Sequence, residues 1–243
     1  MSDFPATPPV AELAVLAARV RDLRAARGAR VLVGITGSPG AGKTTLATLL
    51  VAELGPDAVH LPMDGFHLAN ATLDALGRHD RKGALDTFDG WGFLALLRRV
   101  RDERDRTVYA PSFRREVDEP VAAEIAVEPH HEVVVVEGNY LLVDDGPWAH
   151  VRGVLDETWF AVTPDDERTR RLVERHTRHG RTPDAAAAWA EQVDGRNAAL
   201  VEPTAARADL LVSGFRAARP EACRGTCRCA VGASDDGDPA TAT

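Results

Sequence analysis

The 243-residue chain carries 29 Lys and Arg against 37 Asp and Glu, a formal net charge of -8 at pH 7. That length suits one α/β domain with at most a small lid, and the acidic balance excludes a global basic field for nonspecific nucleic-acid binding. Asp3, Glu12, Arg19 and Arg21 interrupt the N-terminal apolar residues, so no signal peptide or membrane span is read there and a cytoplasmic protein is expected.

Leu13, Leu16, Val20 and Leu23 recur at helical spacing, which predicts an amphipathic helix within an N-terminal segment, residues 1–29. Arg30 to Thr36 then reads as a buried strand and Thr45 to Val51 as a helix. Between them Gly37-Ser38-Pro39-Gly40-Ala41-Gly42-Lys43-Thr44 fits G-x-x-x-x-G-K-[ST], the phosphate-binding P-loop, in the strand-to-helix setting it requires. Gly37, Gly40 and Gly42 tolerate the backbone angles of a loop whose N–H groups point at phosphate oxygens, where a side chain is expected to collide with the phosphates. Lys43 supplies a cation for the outer phosphates, Thr44 a hydroxyl for Mg²⁺, and the helix its positive end.

Gly55-Pro56 breaks the helix, and Ala58 to Met63 reads as a second strand ending at Asp64. In open parallel sheets ligands bind beyond the carboxyl ends of strands, so Asp64 is expected on the same rim as the P-loop. Gly65 to Phe88 is a polar, punctuated insert carrying Phe66, His67, Arg78, His79, Arg81 and Lys82, and reads as substrate-facing. Asp89 reads as the N-cap of a helix with Phe93, Leu94, Leu97 and Val100 on one face. Thr107 to Arg115 reads as a strand or extended loop interrupted by Pro111, with Glu124 to Val127 as a short companion strand.

Val133-Val134-Val135-Val136 is a β-branched run suited to a central parallel strand buried on both faces, and it ends in Glu137. A carboxylate there can hold Mg²⁺, directly or through water; the alternative is an acid that caps the following turn. Thr158 to Val162 is a further strand, and Pro164-Asp165-Asp166 opens a helix with acids at its positive end. The same helix then turns basic through Arg168, Arg170, Arg171, Arg175, His176, Arg178, His179 and Arg181, which beside a P-loop reads as a lid over residues 164–185, with Gly180 and Pro183 bounding a hinge. An Ala-rich helix through Trp189, Val193 and Leu200 and a last strand at Ala208 to Val212 complete a domain of residues 30–217. Residues 218–243 read as a disordered tail holding all three cysteines, Cys223, Cys227 and Cys229, so the body needs no disulfides.

In this order, Gly37 to Thr44, Met63-Asp64-Gly65-Phe66-His67, Arg81-Lys82-Gly83 with Phe88-Asp89, Tyr109 to Phe113, Glu137 to Leu142 and Arg168 to Arg175 resemble the P-loop kinase family of uridine kinase, pantothenate kinase and phosphoribulokinase. The nearest likeness is to bacterial nucleoside/nucleotide kinase-like members, some linked to sugar transport. The resemblance implies a three-layer α/β P-loop NTPase fold with a mostly parallel sheet and a helical, arginine-rich lid. It implies ATP and Mg²⁺ as cofactors and transfer of the γ-phosphoryl group to a hydroxyl of a nucleoside, sugar or vitamin-like metabolite. Asp64 would orient and deprotonate that hydroxyl, with Lys43 and Arg171 as catalytic partners. Gly37, Ser38, Pro39, Gly40, Ala41, Gly42, Lys43, Thr44, Thr45, Arg168 and Arg175 would bind ATP, and Thr44 and Glu137 the metal. His67, Asp86, Tyr109, Arg114 and Asn197 match regions that touch substrate. A homodimer stays open, and no nucleic-acid or membrane partner is expected. The other reading is a nucleotide-binding switch without a small-molecule acceptor, for which Asp89-Gly90-Trp91-Gly92 supplies only the short D-x-x-G pattern.

Overall fold

A computed structural model describes residues 10–178 and 180–213. His179, the first nine residues and the cysteine-bearing tail lie outside the described residues. Five strands form one parallel sheet: β1 (Val31–Thr36), β2 (Ala58–Pro62), β5 (Val133–Glu137), β6 (Glu157–Val162) and β7 (Leu210–Ser213), in the order β2-β5-β1-β6-β7. Strands β3 (Val108–Arg114) and β4 (Glu119–Val127) pair antiparallel as a separate hairpin.

Alternation along β1 explains the three layers. Val31, Val33 and Ile35 face a core with Leu16, Ala17 and Val20 of α1 (Val10–Arg27) and Leu46, Ala47 and Leu50 of α2 (Lys43–Leu54). Leu32 faces the opposite core, with Phe93, Leu94, Leu97 and Val100 of α4 (Gly90–Asp102) and Val201 of α7 (Gly195–Val201). A strand covered on both sides must be apolar at every position, which is why the valine run of β5 shows no alternation.

Other local expectations meet their physical reasons. The Asp89 carboxylate accepts from the Gly92 N–H at 2.8 Å and caps α4, which accounts for the D-x-x-G pattern as a helix start. Pro111 does not break β3. The pairing register shifts between Ala110 and Ser112, and a proline with no N–H to donate fits that irregularity. The insert Gly65 to Phe88 has structure of its own, with α3 (Asn70–Leu76) and short 3-10 turns at His79–Arg81 and Leu85–Thr87. The basic helix is α5 (Asp165–Arg178), and the Ala-rich helix is α6 (Pro183–Trp189), then a π-helical turn at Ala190–Asp194, then α7.

Candidate active site

The chain reverses its direction of travel across the sheet at β1: β5 lies on one side and β6 on the other. Ligand clefts of open α/β sheets form at such a point, beyond the strand ends, and the P-loop occupies it between β1 and α2. Gly37 and Gly40 have φ of 145° and 80°. A Cβ on Gly37 would lie 2.5 Å from the Ala161 carbonyl oxygen of β6; one on Gly40 would lie 2.9 Å from both the Arg168 carbonyl oxygen and Leu172 Cγ of α5. The protein's own neighbouring elements are therefore an obstacle at these two positions, in addition to the phosphates that the motif leads one to expect. The loop is wedged against β6 and the root of the lid.

Lys43 is buried, and its Nζ donates to the Ser38 carbonyl oxygen at 3.1 Å. Burial lowers its pKa, while the negative charges of Glu137 and Asp64 oppose that shift. Thr44 Oγ1 donates to Glu137 Oε2 at 3.1 Å. Burial pushes Glu137 up to about 7 even with the Lys43 charge pulling the other way. Asp64 stands on the 3-10 turn Met63–Phe66 that follows β2, and no hydrogen bond reaches its carboxylate among the described residues. The hairpin presses on this turn so tightly that a Cβ on Gly65 would lie 2.2 Å from the Pro111 carbonyl oxygen.

The lid arginines divide into distinct environments. Arg168 is buried against the loop: it donates to Asp165 Oδ1 at 3.1 Å and to the Pro39 carbonyl oxygen at 3.5 Å, and lies 3.6 Å from Glu202. Ser38 Oγ donates to the same Glu202 carboxylate at 3.3 Å. Arg171 pairs with Glu167 through Nε at 2.9 Å, leaving its Nη1 buried without a hydrogen-bond partner. Burial lowers the Arg175 pKa, and the charges of Asp194, Asp64 and Glu137 all act on its guanidinium. Asp194, at the end of the π-helical turn, accepts from His176 Nε2 at 2.7 Å and stands 3.8 Å from Arg175 Nη2.

The remaining candidates are placed as follows. His67 packs between Phe88 and Phe113, with centroids at 4.0 and 4.7 Å, and its Nδ1 lies 2.8 Å from the Asp64 carbonyl oxygen. Asn197 Nδ2 donates to the Gly83 carbonyl oxygen at 3.1 Å, where the Tyr140 hydroxyl also donates at 2.6 Å. Asp86 is bound on the surface by Arg81 at 2.7 Å and Arg78 at 3.5 Å. Tyr109 is exposed on the hairpin, and Arg114 pairs there with Glu124.

A sequence profile described as the phosphoribulokinase/uridine kinase family matches residues 32–219. The chain belongs to this family. It is 32% identical over 198 residues to a Schizosaccharomyces pombe protein provisionally named a uridine kinase, covering 77% of this chain and 84% of that one. It is 36% identical over 188 residues to the uncharacterised Escherichia coli protein YggC, covering 75% and 77% of the two chains. A solved structure from Silicibacter sp. TM1040, provisionally named a fructose transport system kinase, is 37% identical with a TM-score of 0.76 over 82% of this chain and 98% of that one.

In this P-loop kinase the fold brings Lys43, Thr44, Asp64, Glu137 and Arg175 into one electrostatic neighbourhood, with Arg168 at its edge. It does not bring Asp86, Tyr109 or Arg114 into contact with those groups. Sequence reasoning set Lys82 in the substrate-facing insert without giving it a partner, and gave Asp194, Tyr140 and Arg115 no role. Tyr140 and Lys82 stand inside the quoted motifs and were legible as neighbours of Glu137 and Gly83. Asp194 had no signal beyond an acid in an Ala-rich helix, and Arg115 was one of two adjacent arginines.

Proposed function

We propose that this kinase transfers the γ-phosphoryl group of ATP to a hydroxyl of a small metabolite, with Asp64 as the group that orients and deprotonates that hydroxyl. The observation that carries the reading is that the Asp64 charge acts at once on Lys43 of the P-loop, Glu137 of β5 and Arg175 of the lid. A carboxylate with free lone pairs beside three elements of a phosphate site is placed to accept a proton from a bound alcohol.

The donor set suits Mg²⁺-ATP. Among the described residues no group of three or more His, Cys, Asp and Glu could hold a metal on its own, and Thr44 with Glu137 offers one hydroxyl and one carboxylate. A cation that keeps most of its water and completes its shell with phosphate oxygens matches that sparse set. Glu137, held near pH 7 by burial, gains from a divalent neighbour. When bound, Mg²⁺-ATP supplies the phosphoryl group and the charge that screens its oxygens. Lys43 and Arg175 then stabilise charge on the transferring group from the loop side and the lid side. The unpartnered Arg171 Nη1 is a third donor. Arg168 holds the loop to the lid root through Pro39. His67, wedged between aromatic rings, and the Gly83 loop held by Tyr140 and Asn197 form the acceptor wall.

The experiment is ADP release with Mg²⁺-ATP over a panel of nucleosides, sugars, sugar phosphates and vitamins. Asp64→Asn is expected to reduce acceptor-dependent turnover by about 10²-fold or more while ATP binding persists. Unchanged turnover in that variant removes Asp64 from the chemistry. ADP release that no acceptor stimulates, coupled to nucleotide-dependent partner binding, would replace the kinase reading with a switch.

A further inference from the structure

A cleft of about 330 Å³ lies at the end of the sheet away from the P-loop. Arg21 and Arg24 of α1 line it together with Arg104, just past the end of α4, and Glu132, just ahead of β5. Helix α1 covers one face of the sheet and α4 the other, so the cleft falls where the two outer layers meet. The P-loop follows the last residue of β1, whereas Gly28 and Ala29 of the cleft precede its first. The length of a strand of 6 residues, about 20 Å, therefore separates the two.

Three arginines meet one glutamate here, in a chain whose formal net charge is -8. Glu132 pairs with Arg24. Arg21 donates through Nη2 to the Glu53 carbonyl oxygen at 2.8 Å and has no carboxylate partner among the described residues. Arg104 is exposed, with neither a hydrogen bond nor an ion pair among the described residues. Glu103 and Asp105, which flank it in sequence, are engaged by Arg99 at 2.8 Å and Arg106 at 3.0 Å. Next to these groups is a further cation. Arg30, only 2% exposed, donates to the carbonyl oxygens of Val100 at 2.7 Å and of Glu128 and His131 at 2.8 Å, and to no carboxylate. Carbonyl dipoles satisfy its donors but leave a whole positive charge buried without a counter-charge. Burial lowers the Arg30 pKa, and the like charge of Arg104 adds to the shift. Helix capping does not account for the set: Arg24 and Arg27 already occupy the last turn of α1, where cations complement the helix end, while Arg21 lies before that turn and Arg104 beyond α4.

We infer that this cleft binds a compact polyanion, a phosphorylated or polycarboxylate metabolite, at a site separate from the phosphoryl-transfer centre. Arg21 and Arg104 reach it from the two outer layers and have N–H groups free for charge-assisted bonds, and the buried Arg30 charge adds to the attraction. The other liners are Ala25, Gly28 and Ala29, and no aromatic ring is present on which a base could stack, so the cleft selects for charge rather than for a nucleoside. An occupant would fasten three helix ends together, because Arg21 is bonded to the last turn of α2 through Glu53 and Arg104 follows α4 directly.

The probes are pyrophosphate and tricarballylate, neither of which offers an alcohol as phosphate acceptor. Each is titrated calorimetrically into the full chain at physiological salt, with a non-hydrolysable ATP analogue saturating the P-loop and free Mg²⁺ held constant. One saturable site with a Kd of about 1 mM or tighter is expected, and the tighter probe distinguishes phosphate from carboxylate chemistry. Arg104→Ala and Arg21→Ala should each weaken binding about tenfold or more, Arg104→Lys by less, with ADP release unchanged. Arg106→Ala removes an equal charge two residues away, from a surface pair outside the cleft, and should alter the affinity less than about twofold. Arg21 and Arg104 are both exposed, so the unliganded variants should keep the thermal midpoint of the wild type. Absence of saturable binding, binding that vanishes once the analogue fills the P-loop, or equal affinity in Arg104→Ala and Arg21→Ala overturns the inference. Equal weakening by Arg106→Ala also overturns it, by showing a diffuse positive field in place of a site.

Discussion

The Thr44 hydroxyl donates to Glu137 Oε2 at 3.1 Å, so the first turn of α2 and the last residue of β5 meet in one polar contact beside the buried Lys43. Glu137 is uncomfortable there: its carboxyl is held at about 7 against an ordinary 4.5. Between those values the folded protein keeps a proton that the unfolded chain has released. Stability from this group is therefore fully present below 4.5 and is lost as pH rises through about 7. Without Mg²⁺ and nucleotide, Glu137→Gln is expected to unfold at higher temperature than the wild type at pH 8, by on the order of 2–3 kcal/mol, and to match it near pH 5. The same variant should lose most of the stabilisation that Mg²⁺-nucleotide confers. Thermal scans at the two pH values, with and without ligand, decide this; equal midpoints at pH 8 would count against it.

His60 on β2 acts in the opposite sense. Its Nε2 is buried without a hydrogen bond, 4.0 Å from Glu137, and burial lowers the ring to about 4 from 6.5 although Asp64 pulls upward. The unfolded chain takes up the proton first, so stability from neutral His60 is present above 6.5 and is lost as pH falls toward 4. His60→Leu should be less acid-sensitive than the wild type by about 3 kcal/mol at most over that window. Urea unfolding of both proteins at pH 7 and pH 4.5 measures the difference, and parallel losses in both would remove His60 as the cause.

Gly40→Ala forces a methyl group against the Arg168 carbonyl and Leu172 at a φ of 80°. The expected loss is about 2 kcal/mol or more, with weaker ATP binding because the loop and the root of α5 must separate. Gly28→Ala is the control: its φ is 62° with nothing within 4 Å of the added carbon, so it should cost only the local backbone strain of about 1–2 kcal/mol. If both variants lose the same stability and bind ATP equally, packing against the lid root is not what position 40 requires.

Asp194 ties α5 to the π-helical turn through His176 and Arg175. Asp194→Asn keeps the shape and removes the charge that holds Arg175. Turnover is expected to fall about tenfold or more with a smaller change in the KM for ATP, as for loss of a group that orients a transition-state contact. Proteolysis within α5 should also become faster. Wild-type kinetics in this variant would leave Asp194 a structural residue only.

Much of the fold was legible because its signals are local. The P-loop pattern, the uninterrupted valines of β5 and the helical spacing of Phe93, Leu94, Leu97 and Val100 each report a backbone state and a degree of burial that neighbouring residues decide. Pro111 misled for the converse reason: the register shift that accommodates it is a property of the β3–β4 pair, absent from either strand alone. Asp86 and Arg114 looked equivalent to Arg175 as charged residues in suggestive places. Their partners, Arg81 and Glu124, occupy them at the surface, while Arg175 is buried beside Asp194 and also feels the Asp64 charge.

From the sequence alone came the order of strands and helices, the phosphate-binding loop and the acids at the ends of β2 and β5, since each is set by residues a few positions apart. Only the tertiary structure decided that the charges of Lys43, Asp64, Glu137 and Arg175 act on one another, and that a side chain on Gly37 or Gly40 would meet β6 or α5. Charge interactions and steric contacts depend on distance and burial in the folded chain, and neither exists until segments more than a hundred residues apart have packed together.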